Sequence, residues 1–194
     1  ILNLFKESVE YNISTLLPIL KLNPVSGAAF SQARYKIDLS FFKDLNRILV
    51  NFHQQKPSRL WKGFQLIAGD GSTVALPSSR QVKDYFGIHS QADCGIKNCM
   101  AQIFMLYDVY TNMVVDGRIS KMENSERTLL KESLADLPIT NAIYLLDRGF
   151  GFFNICKRFL TENRMFCIRI KSSGSAFSKL IMENPSSDFL IEWK

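Results

Sequence analysis

The reading of the fold turns on Leu66–Ser79, LIAGDGSTVALPSS. An apolar run leads into Gly69-Asp70-Gly71, then Ser72-Thr73, then a second short apolar run. The pattern predicts a buried strand ending in a turn, with Asp70 where the strand leaves the core. Glycines on both sides of the acid let the backbone turn sharply and leave the carboxylate facing out.

Downstream, LPSSRQVKDYFG is polar and turn-rich, with room for one helical turn. CMAQIFMLYDVY reads as a second strand, TN as a tight connection and MVVDGRISK as the returning third strand. NSERTLLKESLADLP predicts a helix capped by Asn124 or Ser125, with Leu130, Leu134 and Leu137 on one face. AIYLLDRGFG is a fourth strand ending at Asp147. FFNICKRFLTENR is a helix with Phe152, Cys156 and Phe159 inward, MFCIRIK a fifth strand, and the remainder a loop, a short helix and one further strand. Three hairpin-linked strands followed by helix-linked strands predict an α/β fold of the ribonuclease-H-like type, a mixed sheet with flanking helices.

In that order the first and fourth strands are neighbours at the centre of the sheet, so Asp70 and Asp147 come together. Close carboxylates repel and raise each other's pKa, and a divalent cation with oxygen ligands offsets the repulsion. Asp147 also suits the cap of a following helix, and a lone Asp after a strand is ordinarily a turn residue. Glu123 and Glu126 lie on or before the NSERTLL helix, where they serve its positive end, with a metal-ligand role for either as the alternative. In CIRIK, Arg169 and Lys171 alternate with Ile168 and Ile170, so the two cations share a face, which suits either a polyanion's phosphates or an ordinary solvated edge.

Upstream of Trp61, Leu2, Phe5, Val9, Ile13 and Leu16 recur at helical spacing until Pro18 breaks the pattern. Ser26 caps a second helix, and Leu39, Phe42, Leu45, Leu49 and Phe52 mark a third that ends near Pro57. The small bundle suits either a DNA-reading module or a cap on the main domain. The expected organisation is a helical region over 1–60, a core over 61–173, and the start of an insertion or linker over 174–194.

The chain has 194 residues and a formal net charge of +6, with 46% apolar residues. That composition builds a core and excludes disorder. The basic excess is uneven, eight Lys/Arg against four Asp/Glu up to Trp61 and sixteen against fourteen beyond it. A basic leading segment suits a polyanionic partner. No apolar run is long enough to span a bilayer, and no secretory leader is visible. Cys94, Cys99, Cys156 and Cys167 read as free thiols of a reduced, intracellular chain. His89, Cys94 and Cys99 lie close in sequence, but their spacing fits no zinc pattern.

WKGFQLIAGDGSTVALPSS, NSERTLL, YLLDRGFGFFNICKRFL and FCIRIKSS, in this order, resemble insertion-sequence transposases of the DDE class, in the insertion-sequence-four group. AFSQARYKI is also typical of that group, so the resemblance runs from about Ser26 to Ser173. It implies that Asp70 and Asp147 are the first two catalytic acids and metal ligands. Arg148 and Gly149 fill the places after the second, and Arg148 joins Arg169 and Lys171 as a DNA-binding residue. It further implies Mg²⁺ or Mn²⁺, two ions in the complete protein, with nicking and strand transfer on double-stranded DNA. A homodimer on DNA fits the same picture, as do a bacterial cytoplasm and no membrane partner. The group's third acid, a Glu within Tyr, two residues, Arg, three residues, Glu, six residues, Lys, does not occur. The resemblance therefore implies a chain cut before its active site is complete. A non-catalytic DNA-binding remnant is the alternative, and a stand-alone metal nuclease would need a third acid within these residues.

Overall fold

A computed structural model describes residues 8–55, 59–90, 97–137, 139, 141–171, 173–174, 176–184 and 186. The expectations for Leu2, Phe5, Pro57, Cys94 and a strand after residue 186 lie outside the described residues. The chain divides into two compact units, Ile1–Leu49 and Val50–Lys194.

The first unit is helical. Helix α1, Val9–Ile19, starts where Ser8 Oγ accepts the Tyr11 N–H at 3.2 Å. Pro18 was expected to break this helix, yet it sits inside the last turn. The helix ends instead at Lys21, at φ 54°. There the Lys21 N–H reaches Pro18 O at 3.0 Å and the Leu22 N–H reaches Leu17 O at 2.9 Å. This is a Schellman closure that satisfies the last carbonyls. Helix α2, Gly27–Arg34, has the expected Ser26 cap, with the Ala29 N–H donating to Ser26 Oγ at 3.1 Å. Helix α3, Leu39–Gln55, begins in this unit and crosses into the second. At its start Asp38 accepts the Ser40 N–H at 2.7 Å, and that bond holds the carboxyl below its usual range.

The second unit is built on a mixed sheet. Its strands are β1, Gln65–Leu76; β2, His89–Ser90; β3, Lys97–Asp108; β4, Met113–Ser120; β5, Ala142–Leu146; and β6, Met165–Ile168. Strand β3 lies antiparallel between β1 and β4, with the short β2 also paired to it. On its other side β1 pairs in parallel with β5, and β5 in parallel with β6. This is a ribonuclease-H-like sheet, with its first and fourth long strands adjacent at the centre. The β3–β4 turn is held by buried Asp108, whose carboxylate accepts the Tyr110 and Thr111 N–H groups at 2.9 and 3.0 Å.

Helix α4, Arg80–Phe86, takes up the polar stretch after β1. Helix α5, Glu126–Asp136, is capped by Ser125, which accepts the Thr128 N–H at 3.2 Å. Helix α6, Phe153–Thr161, follows β5, and α7, Ala176–Met182, follows β6. Leu129, Leu130 and Leu134 of α5 share one apolar cluster with Ile155 and Phe159 of α6. Ile67, Phe104, Leu106, Tyr144 and Leu146 supply the sheet side of the same cluster. Successive strand residues alternate between faces. On the opposite face Met105, Tyr107 and Met165 are exposed, whereas Cys99 and Ala101 are buried, with the Cys99 thiol near Val82 O of α4.

Three further expectations need correction. Strand β1 does not end at Asp70 but continues to Leu76, paired with β3 from Ile67↔Asp108 to Leu76↔Cys99. The long hairpin ladder keeps it extended, and the Gly69-Asp70-Gly71 turn does not form. Phe152 does not face inward. It precedes α6 at 43% exposure, and Ile155 is buried with Phe159 instead. Strand β6 stops at Ile168, although the Arg169 N–H still reaches Leu146 O at 3.1 Å.

Candidate metal and DNA site

The parallel ladder of β1 and β5 ends on the pair Gly69↔Leu146, and that of β5 and β6 on Leu146↔Ile168. The residues next along these three strands are Asp70, Asp147 and Arg169. They stand one residue beyond the last paired positions of three adjacent strands, β1 and β5 inside the sheet and β6 at its edge. All three are exposed, and each follows a residue on the helix-covered face, so their side chains take the other face.

Each carboxylate is fixed by a local backbone amide. Asp70 Oδ1 accepts the Gly71 N–H at 2.9 Å. Asp147 Oδ1 accepts the Gly149 N–H at 2.7 Å, which makes Asp147 the cap of a single 3₁₀ turn, Arg148–Phe150. The capping role weighed for Asp147 is therefore present, alongside its position next to Asp70. One oxygen of each acid engages backbone, and the second oxygens give a hard, anionic donor pair of the kind that suits Mg²⁺ or Mn²⁺ with waters. Among the described residues, no group of three His, Cys, Asp or Glu side chains is placed to hold a metal ion.

The glycines around Asp70 serve space rather than turning. Neither has a positive φ, which among the described glycines falls on Gly63, Gly87 and Gly174. A Cβ at Gly69 would come within 2.8 Å of both Leu106 Cδ2 and Leu146 Cδ2. A Cβ at Gly71 would overlap the Glu126 carboxyl. That carboxylate lies across Gly71, and Gln102 Nε2 donates to its Oε1 at 3.1 Å. Glu126 thus sits behind Asp70, on the opposite face of the strand, and does more than complement the α5 terminus. Sequence reasoning missed this contact. Its one signal is Gln102, an amide within the apolar stretch Met100–Leu106 of β3, which demands a partner once buried. Glu123 is exposed in the connection before α5.

Arg148, Arg169 and Lys171 are all exposed. Gly151 brings the Arg148 and Arg169 segments close, since a Cβ there would lie 3.6 Å from the carbonyl oxygens of both. Ile170 packs inward at the same point, leaving Arg169 and Lys171 outward. Nearby, Arg127 at the start of α5 stacks over the Phe152 ring, 4.1 Å from its centroid. That contact accounts for the outward ring. Cys99 is buried and its thiol points to Val82 O at 3.6 Å, while His89 Nε2 lies 3.0 Å from Phe86 O.

No family model and no curated protein matches the sequence. Solved structures similar in chain course include a piggyBac transposase synaptic complex with hairpin DNA, at 14% identity and a TM-score of 0.45, over 63% of this chain and 26% of that one. The Mos1 strand transfer complex is 12% identical with a TM-score of 0.37, over 91% of this chain and 65% of that one. The Mos1 mariner paired-end complex with Mn is 12% identical with a TM-score of 0.35, over 84% of this chain and 54% of that one. The chain therefore spans about a quarter of the piggyBac chain and between half and two thirds of the Mos1 chain. The fold itself rests on the strand order of the sheet, independently of these likenesses.

Proposed function

We propose that this chain carries the first two acids of a DDE-class DNA transposase of the insertion-sequence-four group. The observation that supports the reading is the register of three adjacent strands: Gly69, Leu146 and Ile168 are paired across them, and Asp70, Asp147 and Arg169 follow these residues in the chain. Two carboxylates on adjacent strands suit a shared divalent cation, and a cation on the next strand suits the phosphate being handled. Asp70 and Asp147 would hold Mg²⁺ or Mn²⁺. When bound, such ions activate a water or a DNA 3′-hydroxyl and stabilise the leaving oxygen. Arg148, Arg169 and Lys171 would orient double-stranded DNA across the exposed ends of β5 and β6. In this reading the third acid lies outside the described residues, and the proposed setting is a bacterial cytoplasm, on the nucleoid, with a homodimer on DNA. The proposed division assigns 1–60 to DNA reading or capping, 61–173 to the catalytic core, and 174–194 to an insertion or linker.

One observation favours a second reading. Since no third ligand joins the pair among the described residues, a DNA-binding remnant without chemistry also fits. The deciding measurement for the metal site is Mn²⁺ binding followed by electron paramagnetic resonance. Millimolar binding, of the order expected for a sparse, water-rich carboxylate site, should be lost in both Asp70→Asn and Asp147→Asn. Binding that survives both substitutions would remove the metal site from this pair.

A further inference from the structure

We propose that Glu126 is a positioning residue for Asp70, acting through Gly71. The Glu126 carboxyl occupies the volume that any Cβ at residue 71 would need. It is held there by Gln102 Nε2 at 3.1 Å, and Gln102 pairs with Thr73, two residues beyond Gly71. Glu126 is also the first residue of α5, directly after the Ser125 cap. One carboxylate thus joins the α5 terminus, β3 and the back of β1. On the front of the same strand the Gly71 N–H donates to Asp70 Oδ1 at 2.9 Å. Pairing with β3 runs through Gly71 to Leu76, whereas the β5 ladder stops at Gly69, so at Gly71 the strand is held by β3 on one side and by the Glu126 carboxyl packed behind it. The Gly71 N–H in turn aims the Asp70 carboxylate. A side chain at residue 71 would have to displace the Glu126 carboxyl, and the packed carboxylate sets the orientation of the exposed one.

The proposal takes its functional meaning from the reading of Asp70 as a metal ligand, but its test does not depend on metal. The probe is the Gly71 amide resonance of the ¹⁵N-labelled 194-residue chain, which reports directly on the bond to Asp70. In Glu126→Ala the folded-state shift should move toward its position in Asp70→Asn. Exchange of that amide should quicken about tenfold, the protection of one ordinary hydrogen bond. Glu126→Gln, which keeps the size and an oxygen for Gln102, should leave the shift near wild type. Leu134→Ala, which weakens α5 packing elsewhere, should lower the melting temperature without moving the Gly71 shift, separating positioning from mere stability. A Gly71 resonance unchanged in Glu126→Ala would overturn the proposal. As a second measurement, Gly71→Ala should cost less melting temperature in the Glu126→Ala background than in wild type, and equal costs would also overturn it. Mn²⁺ broadening of the same resonance, absent in Asp70→Asn, tests the metal reading separately. Its failure would leave the shift and the melting cycle to judge the positioning role alone.

Discussion

Gly69 of β1 pairs with Leu146 of the parallel strand β5, and each is followed by an aspartate. The pair works because Gly69 has no side chain. Leu146 and Leu106 close over it from the two neighbouring strands, and their methyl groups fill the space where a Cβ would stand. The close approach on the buried face accompanies the last pair of the parallel ladder, and Asp70 and Asp147 are the next residues of the two strands.

Gly69→Ala should therefore destabilise the fold by overpacking, by about 1–3 kcal/mol. Both leucine contacts are core side chains with little room to retreat. Chemical denaturation should show a lower midpoint with an unchanged slope. A midpoint equal to wild type would mean that the leucines rearrange freely and that the glycine is not required for close packing.

A second structural test lies at Arg164, before β6. Its guanidinium donates to Tyr144 Oη at 3.0 Å, to Leu134 O at 2.8 Å and to Leu137 O at 3.1 Å, and pairs with Glu162 at 3.0 Å. Leu137 O lies beyond the end of α5, so one side chain ties the exit of that helix to β5 and β6. Burial pushes the Tyr144 phenol above its usual pKa, while Arg164 opposes the rise. Arg164→Ala leaves several buried polar groups without their donor and should cost about 3 kcal/mol, with Arg164→Lys intermediate. Equal stability of the alanine variant and wild type would show that water replaces the guanidinium at no cost.

Much of the sheet is legible in the sequence because its strands differ in texture. The hairpin-linked strands and the helix-linked β5 and β6 announce the mixed order, and that order alone puts Asp70 near Asp147. The course of β1 past Asp70 is not legible, because Gly-Asp-Gly is the local signature of a turn. Tertiary pairing with β3 overrides that signature, and the glycines prove to be spacers. The role of Glu126 was hidden for a related reason. An acid in the first turn of a helix is already explained by the helix terminus, so nothing local points across the sheet to Gly71. Pro18 and Phe152 fail similarly. A positive φ at Lys21 closes α1, and Arg127 covers an aromatic ring that helical spacing assigns to the core.

The third prediction concerns DNA. Arg148, Arg169 and Lys171 are exposed near the ends of β5 and β6, and the region before Trp61 adds further basic excess. Duplex binding should be weak and should fall steeply with salt, each phosphate contact contributing about −0.9 to the logarithmic slope. Replacing all three residues with alanine should flatten that slope by about 2–3, with little dependence on DNA sequence. Fluorescence anisotropy across a salt series measures it. An unchanged slope in the triple variant would move the DNA surface elsewhere, and no binding at low salt would remove DNA as a partner.

The last prediction concerns chemistry. Asp70 and Asp147 offer a cation two carboxylates on adjacent strands, but no third acid joins them among the described residues. Glu126, the nearest candidate in the sequence, is engaged by Gln102 behind the strand. Phosphoryl transfer needs both ions held so that the attacking and leaving oxygens lie in line across phosphorus. With two ligands one ion is poorly fixed, and the nucleophile is poorly aimed. The 194-residue chain should therefore bind DNA and Mn²⁺ yet neither nick nor join DNA. The assay is metal-dependent nicking and strand transfer on supercoiled and end-labelled DNA, with Asp70→Asn as control. Nicking by the 194-residue chain that disappears in Asp70→Asn would place the missing ligand within these residues. Asp93, Asp188 and Glu192, which lie outside the described residues, would then be the acids to substitute first.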